Sequence, residues 1–340
     1  MGLFDYKELA LIFNYSSIQQ GMDEKELVQK QCKIGNVTYV KAAMHDFGTH
    51  AVFTANADSH AEYWWGDVTT VTSCLIIAAE NGQNDLVTLL LNHGVEVDQR
   101  DERQATALHR AAANGHPNAT TILLDARAKV DARNMYRWTP LHQSAYNGHA
   151  NTTTILLNAG ADVDAQDYLR KTPLHFSAKN GHTNATKILL DAGADVAARD
   201  NSYKTPLHHS VENGHSETMR IQLGSGAKVD ARDQQNLTPL HWAVGNGHVE
   251  ATRILLDAGA EVNAIGEEDK TPLHFSAEYG HAEITRILLN AGANVDPRDR
   301  RNLTPLQYST ERSYAETTRI LLDAGAEVAI NQRRGANEDL

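Results

Sequence analysis

Cysteine is nearly missing: Cys32 and Cys74 are the only two in 340 residues. That is too few for a disulfide framework and predicts a reducing, intracellular setting. No apolar run approaches the roughly 18 residues of a membrane span, and the first residues lack a basic stretch followed by an apolar one, so neither a span nor a secretory signal is expected. Basic residues are outnumbered, 31 Lys and Arg against 43 Asp and Glu, and the net charge is -12. Acidic residues run along the whole length, which argues against nucleic acid as a partner. There is no His-Glu-x-x-His, no Gly-x-Ser-x-Gly and no kinase signature set, so no enzyme activity, cofactor or metal is expected. Gly224-Ser-Gly-Ala-Lys228 lacks the spacing of a phosphate-binding loop and reads as a helix end.

What the chain has is a period. Thr-Pro-Leu-His starts at Thr139, Thr172, Thr205, Thr238 and Thr271, each 33 residues after the last, and Thr106-Ala-Leu-His and Thr304-Pro-Leu-Gln extend the series both ways. Ser73-Cys-Leu-Ile begins one period earlier. Nine residues after each start comes a glycine (Gly82, Gly115, Gly148, Gly181, Gly214, Gly247, Gly280), replaced by Ser313 in the last copy. Within one copy, Thr139 suits a helix N-cap and Pro140 the first helical position. Leu141 and Ala145 share a face, and Gly148 supplies the left-handed residue that stops the helix. A second helix follows with Ile155, Leu156 and Leu157 on its apolar side. Neither helix can bury that side alone, so the copies are expected to stack.

Thr-Pro-Leu-His, Asn-Gly-His and Asp-Ala-Gly-Ala-Asp-Val at this spacing resemble the ankyrin repeat, over residues 69–329. The resemblance implies an all-α fold, a solenoid of stacked helix-turn-helix units with projecting β-turn fingers, and a concave side that usually binds other proteins. It also implies that the first-helix histidines (His142, His175 and their counterparts) hydrogen-bond within their turn and toward the neighbouring copy. Seventeen histidines are present, but twelve belong to the two His positions of the repeat. Helices pack roughly 8 to 10 Å apart while zinc ligands sit about 2 Å from their metal, so these ladders cannot chelate. If the first-helix rings are buried and neutral, stability should fall with pH below about 6.5.

Several features depart from the family pattern. Where most members place a finger glycine, this chain has Gln104, Arg137, Arg170, Tyr203, Asn236, Asp269 and Asn302. Tyr and Arg adopt a left-handed conformation at a cost, so these finger tips are expected to bend differently. Gln222 replaces the central leucine of one second helix, a candidate weak joint. Residues 1–22 show no clear period, 23–48 read as a degenerate N-terminal cap, 49–68 as a long loop carrying Tyr63, Trp64 and Trp65, 69–329 as eight repeats, and 330–340 as a flexible tail.

With the scaffold letters subtracted, the finger positions and outward first-helix positions of three successive copies carry Met135, Tyr136, Arg137, Trp138 and Tyr146, then Tyr168, Leu169, Arg170, Lys171 and Lys179, then Tyr203 and Lys204. Aromatics mixed with Arg are typical of interaction hot spots. The expectation is a monomeric adaptor, cytoplasmic or nuclear, that grips a protein partner through copies at 101–212. Two other roles stay open: an anchoring or spacer solenoid without a tight site, and a regulatory or substrate-recruiting subunit of an enzyme complex such as a ubiquitin ligase. The aromatics could also brace neighbouring fingers. Phe176, Trp242 and Phe275, which follow the first-helix His, are expected in the core.

Overall fold

A computed structural model describes residues 68–328. The expected cap at 23–48, most of the loop at 49–68 and the tail at 330–340 lie outside the described residues. Sixteen α-helices and no strand are found among the described residues, in two compact units divided in the chain between Asp195 and Val196.

The first unit contains α1 (Val68–Glu80), α2 (Asn84–Asn92), α3 (Ala107–Ala113), α4 (Pro117–Asp125), α5 (Pro140–Tyr146), α6 (Ala150–Asn158), α7 (Pro173–Lys179) and α8 (Thr183–Asp191). The second contains α9 (Pro206–Glu212), α10 (Ser216–Gly224), α11 (Pro239–Gly245), α12 (Val249–Asp257), α13 (Pro272–Tyr279), α14 (Ala282–Asn290), α15 (Pro305–Glu311) and α16 (Ala315–Asp323). Each odd-numbered helix packs on the even-numbered helix that follows, and like helices pack side by side within a unit. This is the all-α class of stacked helical pairs that the period predicts. The exception is α1, which runs through Ser73 where the other copies have their cap.

The repeat letters act as expected. Thr139 is extended and caps α5, Pro140 opens it, and Leu141 and Ala145 are fully buried. The leucines of the second helices, Leu90, Leu123, Leu156 and Leu189 in the first unit and Leu255, Leu288 and Leu321 in the second, are also buried. Deleting such side chains costs both transfer energy and a cavity.

In the copies that have it, the first-helix histidine anchors the cap. In α5, His142 Nδ1 accepts from the Thr139 N–H at 3.1 Å and from the Thr139 hydroxyl at 2.9 Å, while Nε2–H donates to the Lys171 carbonyl of the next copy at 3.1 Å. The backbone N–H can only donate and the carbonyl can only accept, so the neutral Nε2–H tautomer is the one these partners satisfy. The same triplet recurs at His109, His241 and His274.

Gln222 is completely buried in the place of the leucines. Elsewhere a serine of the first helix meets a threonine of the second, as in Thr186 to Ser177 and Thr285 to Ser276, both at 3.0 Å. In this copy Met219 stands in the threonine's place, and Ser210 turns instead to Gln222 Oε1 at 2.6 Å. The Ser210 hydroxyl has one proton and a second acceptor, the Leu207 carbonyl at 3.0 Å. Gln222 Nε2 is buried without a partner. An unpaired buried amide costs about 1 to 3 kcal/mol, so Gln222→Leu is expected to stabilise the second unit by an amount in that range. Urea denaturation of the two proteins would measure it, and a lower midpoint for the variant would contradict the weak-joint reading.

Cys74 is buried. The chain's other cysteine, Cys32, lies outside the described residues.

Candidate protein-docking site

The two adjacent fingers of the first unit at 134–138 and 167–171 are each organised by one buried side chain. Asn134 Oδ1 accepts from the N–H groups of Tyr136 at 2.9 Å and Trp138 at 3.0 Å, and Asp167 Oδ1 accepts from those of Leu169 and Lys171, both at 2.8 Å. Backbone bonds close the same loops, Asn134 N–H to the Trp138 carbonyl at 3.0 Å and Asp167 N–H to the Lys171 carbonyl at 3.1 Å. With the backbone polar groups turned inward, the side chains between them face water. Met135, Tyr136, Arg137, Tyr168, Leu169 and Arg170 are all exposed, Tyr168 to 62%.

The finger tips do not bend away from the family pattern. Gln104, Arg137, Arg170, Tyr203, Asn236, Asp269 and Asn302 all keep the left-handed conformation, with φ between 58° and 61°. The inward hydrogen bonds of the loop over-determine it, so Tyr and Arg accept the cost. The finger at Gly266 is the variant: it has no Asp or Asn at its base, and Glu268 joins Asp269 in the left-handed region within a short 3-10 turn, Glu267–Asp269.

Trp138 takes a different role from its neighbours. Its ring lies half-buried, 4.5 Å from Phe176 and 5.4 Å from Tyr146 between centroids, and its Nε1–H donates to Asp167 Oδ2 at 3.3 Å. It ties one finger to the base of the next, which is the bracing alternative for this residue. Tyr146 rests against the same cluster, 6.0 Å from Phe176, yet stays 41% exposed. Lys171 is half-buried and Lys179 exposed. Arg137 sits 5.7 Å from the centre of the Tyr168 ring. The first unit therefore gathers ten of the twelve candidate residues on the fingers and first helices of two adjacent copies, Tyr203 and Lys204 being the other two. Tyr203 belongs to the second unit, where it is exposed beside Arg199.

In that second unit, Ser202, Lys204, Asp233, Trp242, Gly266 and Arg300 help line a groove of about 940 Å³. Trp242 is half-buried rather than core: Nε1–H donates to Asp233 at 2.9 Å, and the Lys204 ammonium lies 3.5 Å above its ring. Phe275 is likewise half-buried, while Phe176 is buried as expected. Sequence reasoning missed the rule behind these placements. The finger's Asp presents its second oxygen to the residue nine positions later, reached by His209 from Asp200, Trp242 from Asp233 and Tyr308 from Asp299. The constant spacing of nine was available in the sequence as a signal.

Among the described residues, no group of three or more His, Cys, Asp or Glu could hold a metal ion, and no helix is long and apolar enough to cross a membrane. The period, the helical pairs and the outward-facing fingers together define a helical repeat protein. The chain belongs to the ankyrin-repeat family, whose profile, described as three-copy ankyrin repeats, matches residues 42–134, 75–167, 129–200, 168–233, 199–266 and 264–332. The match begins upstream of residue 69, where the regular period starts. No curated protein matches the chain. Ankyrin repeats are generally protein–protein interaction modules and typically lack enzymatic activity.

Proposed function

We propose that this protein is an adaptor that binds a polypeptide partner through the fingers and first helices of residues 134–179, in its first unit. The observation that carries the reading is the exposure of Met135, Tyr136, Tyr146, Tyr168 and Leu169 beside Arg137 and Arg170 on two adjacent fingers and the helix between them. Apolar and aromatic side chains gathered on one face of a soluble-sized repeat stack favour contact with another protein over contact with water. Trp138 contributes by holding the two fingers in line rather than by direct contact, and Tyr203 belongs to the second unit.

The test separates contact from bracing. Met135→Ala, Tyr136→Ala and Tyr168→Ala together are expected to weaken capture of partners from a cell lysate at least about tenfold without moving the melting temperature. Trp138→Ala is expected to lower the melting temperature, because it removes a half-buried ring and its bond to Asp167. Undiminished capture by the triple variant would favour the anchoring or spacer role instead.

A further inference from the structure

The repeat provides its own comparison for the charge at this face. In two copies of the second unit, a lysine at the end of a finger pairs with a glutamate eight residues later at the end of the first helix: Lys204 to Glu212 at 3.0 Å and Lys270 to Glu278 at 2.8 Å. Both lysines lie close under the copy's inner face, with side chains only 15% and 12% exposed. The same two places in the first unit hold Lys171 and Lys179. A second cation stands where the sister copies have a carboxylate, and no carboxylate lies within ion-pair distance of Lys171 among the described residues.

The tips of the two adjoining fingers are basic. Arg137 and Arg170 are exposed on the adjoining finger tips, and the acid at the base of the second finger, Asp167, is buried and committed to backbone N–H groups and to Trp138. Exposed Tyr136, Tyr168 and Leu169 stand between the cations. In a chain of net charge -12 this is a local reversal of sign. One finger of the second unit is the opposite, with Glu267, Glu268 and Asp269 in sequence on its tip, while another carries Arg300 and Arg301.

From this substitution we infer that the occupant of the first unit's face is an extended acidic segment of another protein, whose carboxylates take the place beside Lys171 that Glu212 and Glu278 fill in the sister copies, and whose apolar side chains lie against Tyr136, Tyr168 and Leu169. The inference rests on the docking face proposed above and adds the chemistry of its partner. Opposite charge across such a face raises the rate of encounter and excludes basic segments more than it adds raw affinity.

The experiment titrates the full chain into three fluorescein-labelled synthetic peptides of equal length and equal Leu and Phe content. Their remaining positions are Asp and Glu, Ser and Gln, or Lys and Arg, and the readout is anisotropy at low and high salt. The acidic peptide is expected to bind at least about tenfold more tightly than the other two, and to lose most of that advantage at about 0.3 M salt. Lys179→Glu rebuilds the pairing of the sister copies, so it is expected to keep the melting temperature while losing at least about tenfold in acidic-peptide affinity. Lys171→Gln is expected to give a smaller loss with the same salt trend. Equal affinity for the three peptides, or for wild type and Lys179→Glu, overturns the inference. So does displacement of the acidic peptide by a single-stranded oligonucleotide at matched charge, which would make nucleic acid the occupant. If all three peptides bind alike and the Met135, Tyr136 and Tyr168 alanine variant abolishes them, the docking face stands and only its acidic partner falls. If no peptide binds, the acidic inference falls, and the lysate capture decides the docking face separately.

Discussion

Lowering the pH from 7.5 to 5 is expected to reduce the melting temperature of each unit by roughly 10 °C. Burial depresses His109 and His142 in the first unit, and His208 and His241 in the second, from 6.5 to about 4. His274 is lowered by burial as well. A folded-state value below the unfolded one means that the fold prefers the neutral ring. The stability this contributes is complete above about pH 6.5 and is lost as the pH falls toward 4, where the folded protein finally takes up the proton. At pH 5 the loss is on the order of 2 kcal/mol for each ring with a value near 4. The hydrogen bonds explain why the proton is unwelcome: adding it at Nδ1 of His142 would set an N–H against the Thr139 N–H that now donates there.

Among the carboxylates, burial raises Asp164, whose protonation favours the fold as the pH falls and so opposes the histidine effect in sign. Asp101 and Asp299 lie below the usual 3.8, burial being outweighed by hydrogen bonds from Arg110 and Tyr308, so their protonation belongs to lower pH. The chain also contains its own control. In the last copy Gln307 stands in the histidine's place, and its Oε1 accepts from the Thr304 N–H at 2.8 Å without titrating. His142→Gln is therefore expected to remove about half of the first unit's pH dependence while leaving the cap intact. A melting temperature that stays constant between pH 7.5 and 5 in the unaltered protein would refute the account.

The scaffold was legible in the sequence because each repeat letter does a local job. Thr139 caps, Pro140 opens, Leu141 packs and Gly148 stops the helix, and each of these roles can be read within one copy. The site was legible only in part. Position within the repeat placed Tyr136, Tyr168 and Leu169 on the surface, because finger tips and buried turns alternate with the period. It could not separate Trp138 from them, since that ring's fate depends on Asp167 and Phe176 of the next copy. Trp242 went the other way for the same reason. The ring was expected in the core from its place after the histidine, but Asp233 and Lys204 hold it half-exposed at the groove. The left-handed Tyr203 and Arg137 were misjudged because intrinsic preference was weighed without the Asp or Asn side chain that fixes the loop.

Gly148→Ala is expected to destabilise the first unit by more than about 3 kcal/mol, whereas Gly160→Ala, twelve residues on, should cost only about 1 to 2 kcal/mol. Both glycines are left-handed, with φ of 74° and 87°, so both variants carry the backbone penalty of an L side chain. They differ in what the new methyl meets. A Cβ at Gly160 finds nothing within 4 Å, and the preceding copy already tolerates Arg127 at the same place with φ of 64°. A Cβ at Gly148 would stand 2.4 Å from Nδ1 and 2.5 Å from Cγ of His182. That ring is held from its far side by the bond of Nε2–H to the Tyr146 carbonyl at 2.9 Å, so it cannot retreat without giving up that bond and disturbing the end of the helix that presents Tyr146. Gly82, Gly115, Gly214 and Gly247 face the histidine of the following copy in the same way, and Gly280 faces Tyr314. Ser313 takes the glycine's place in the last described copy, with φ of 59°, where no following ring is described. The second His of the motif thus selects the glycine of the copy before it, across an interface rather than within a turn. Urea denaturation of the two alanine variants at pH 7.5 would check this, and equal costs would show that the glycine serves only its own helix end.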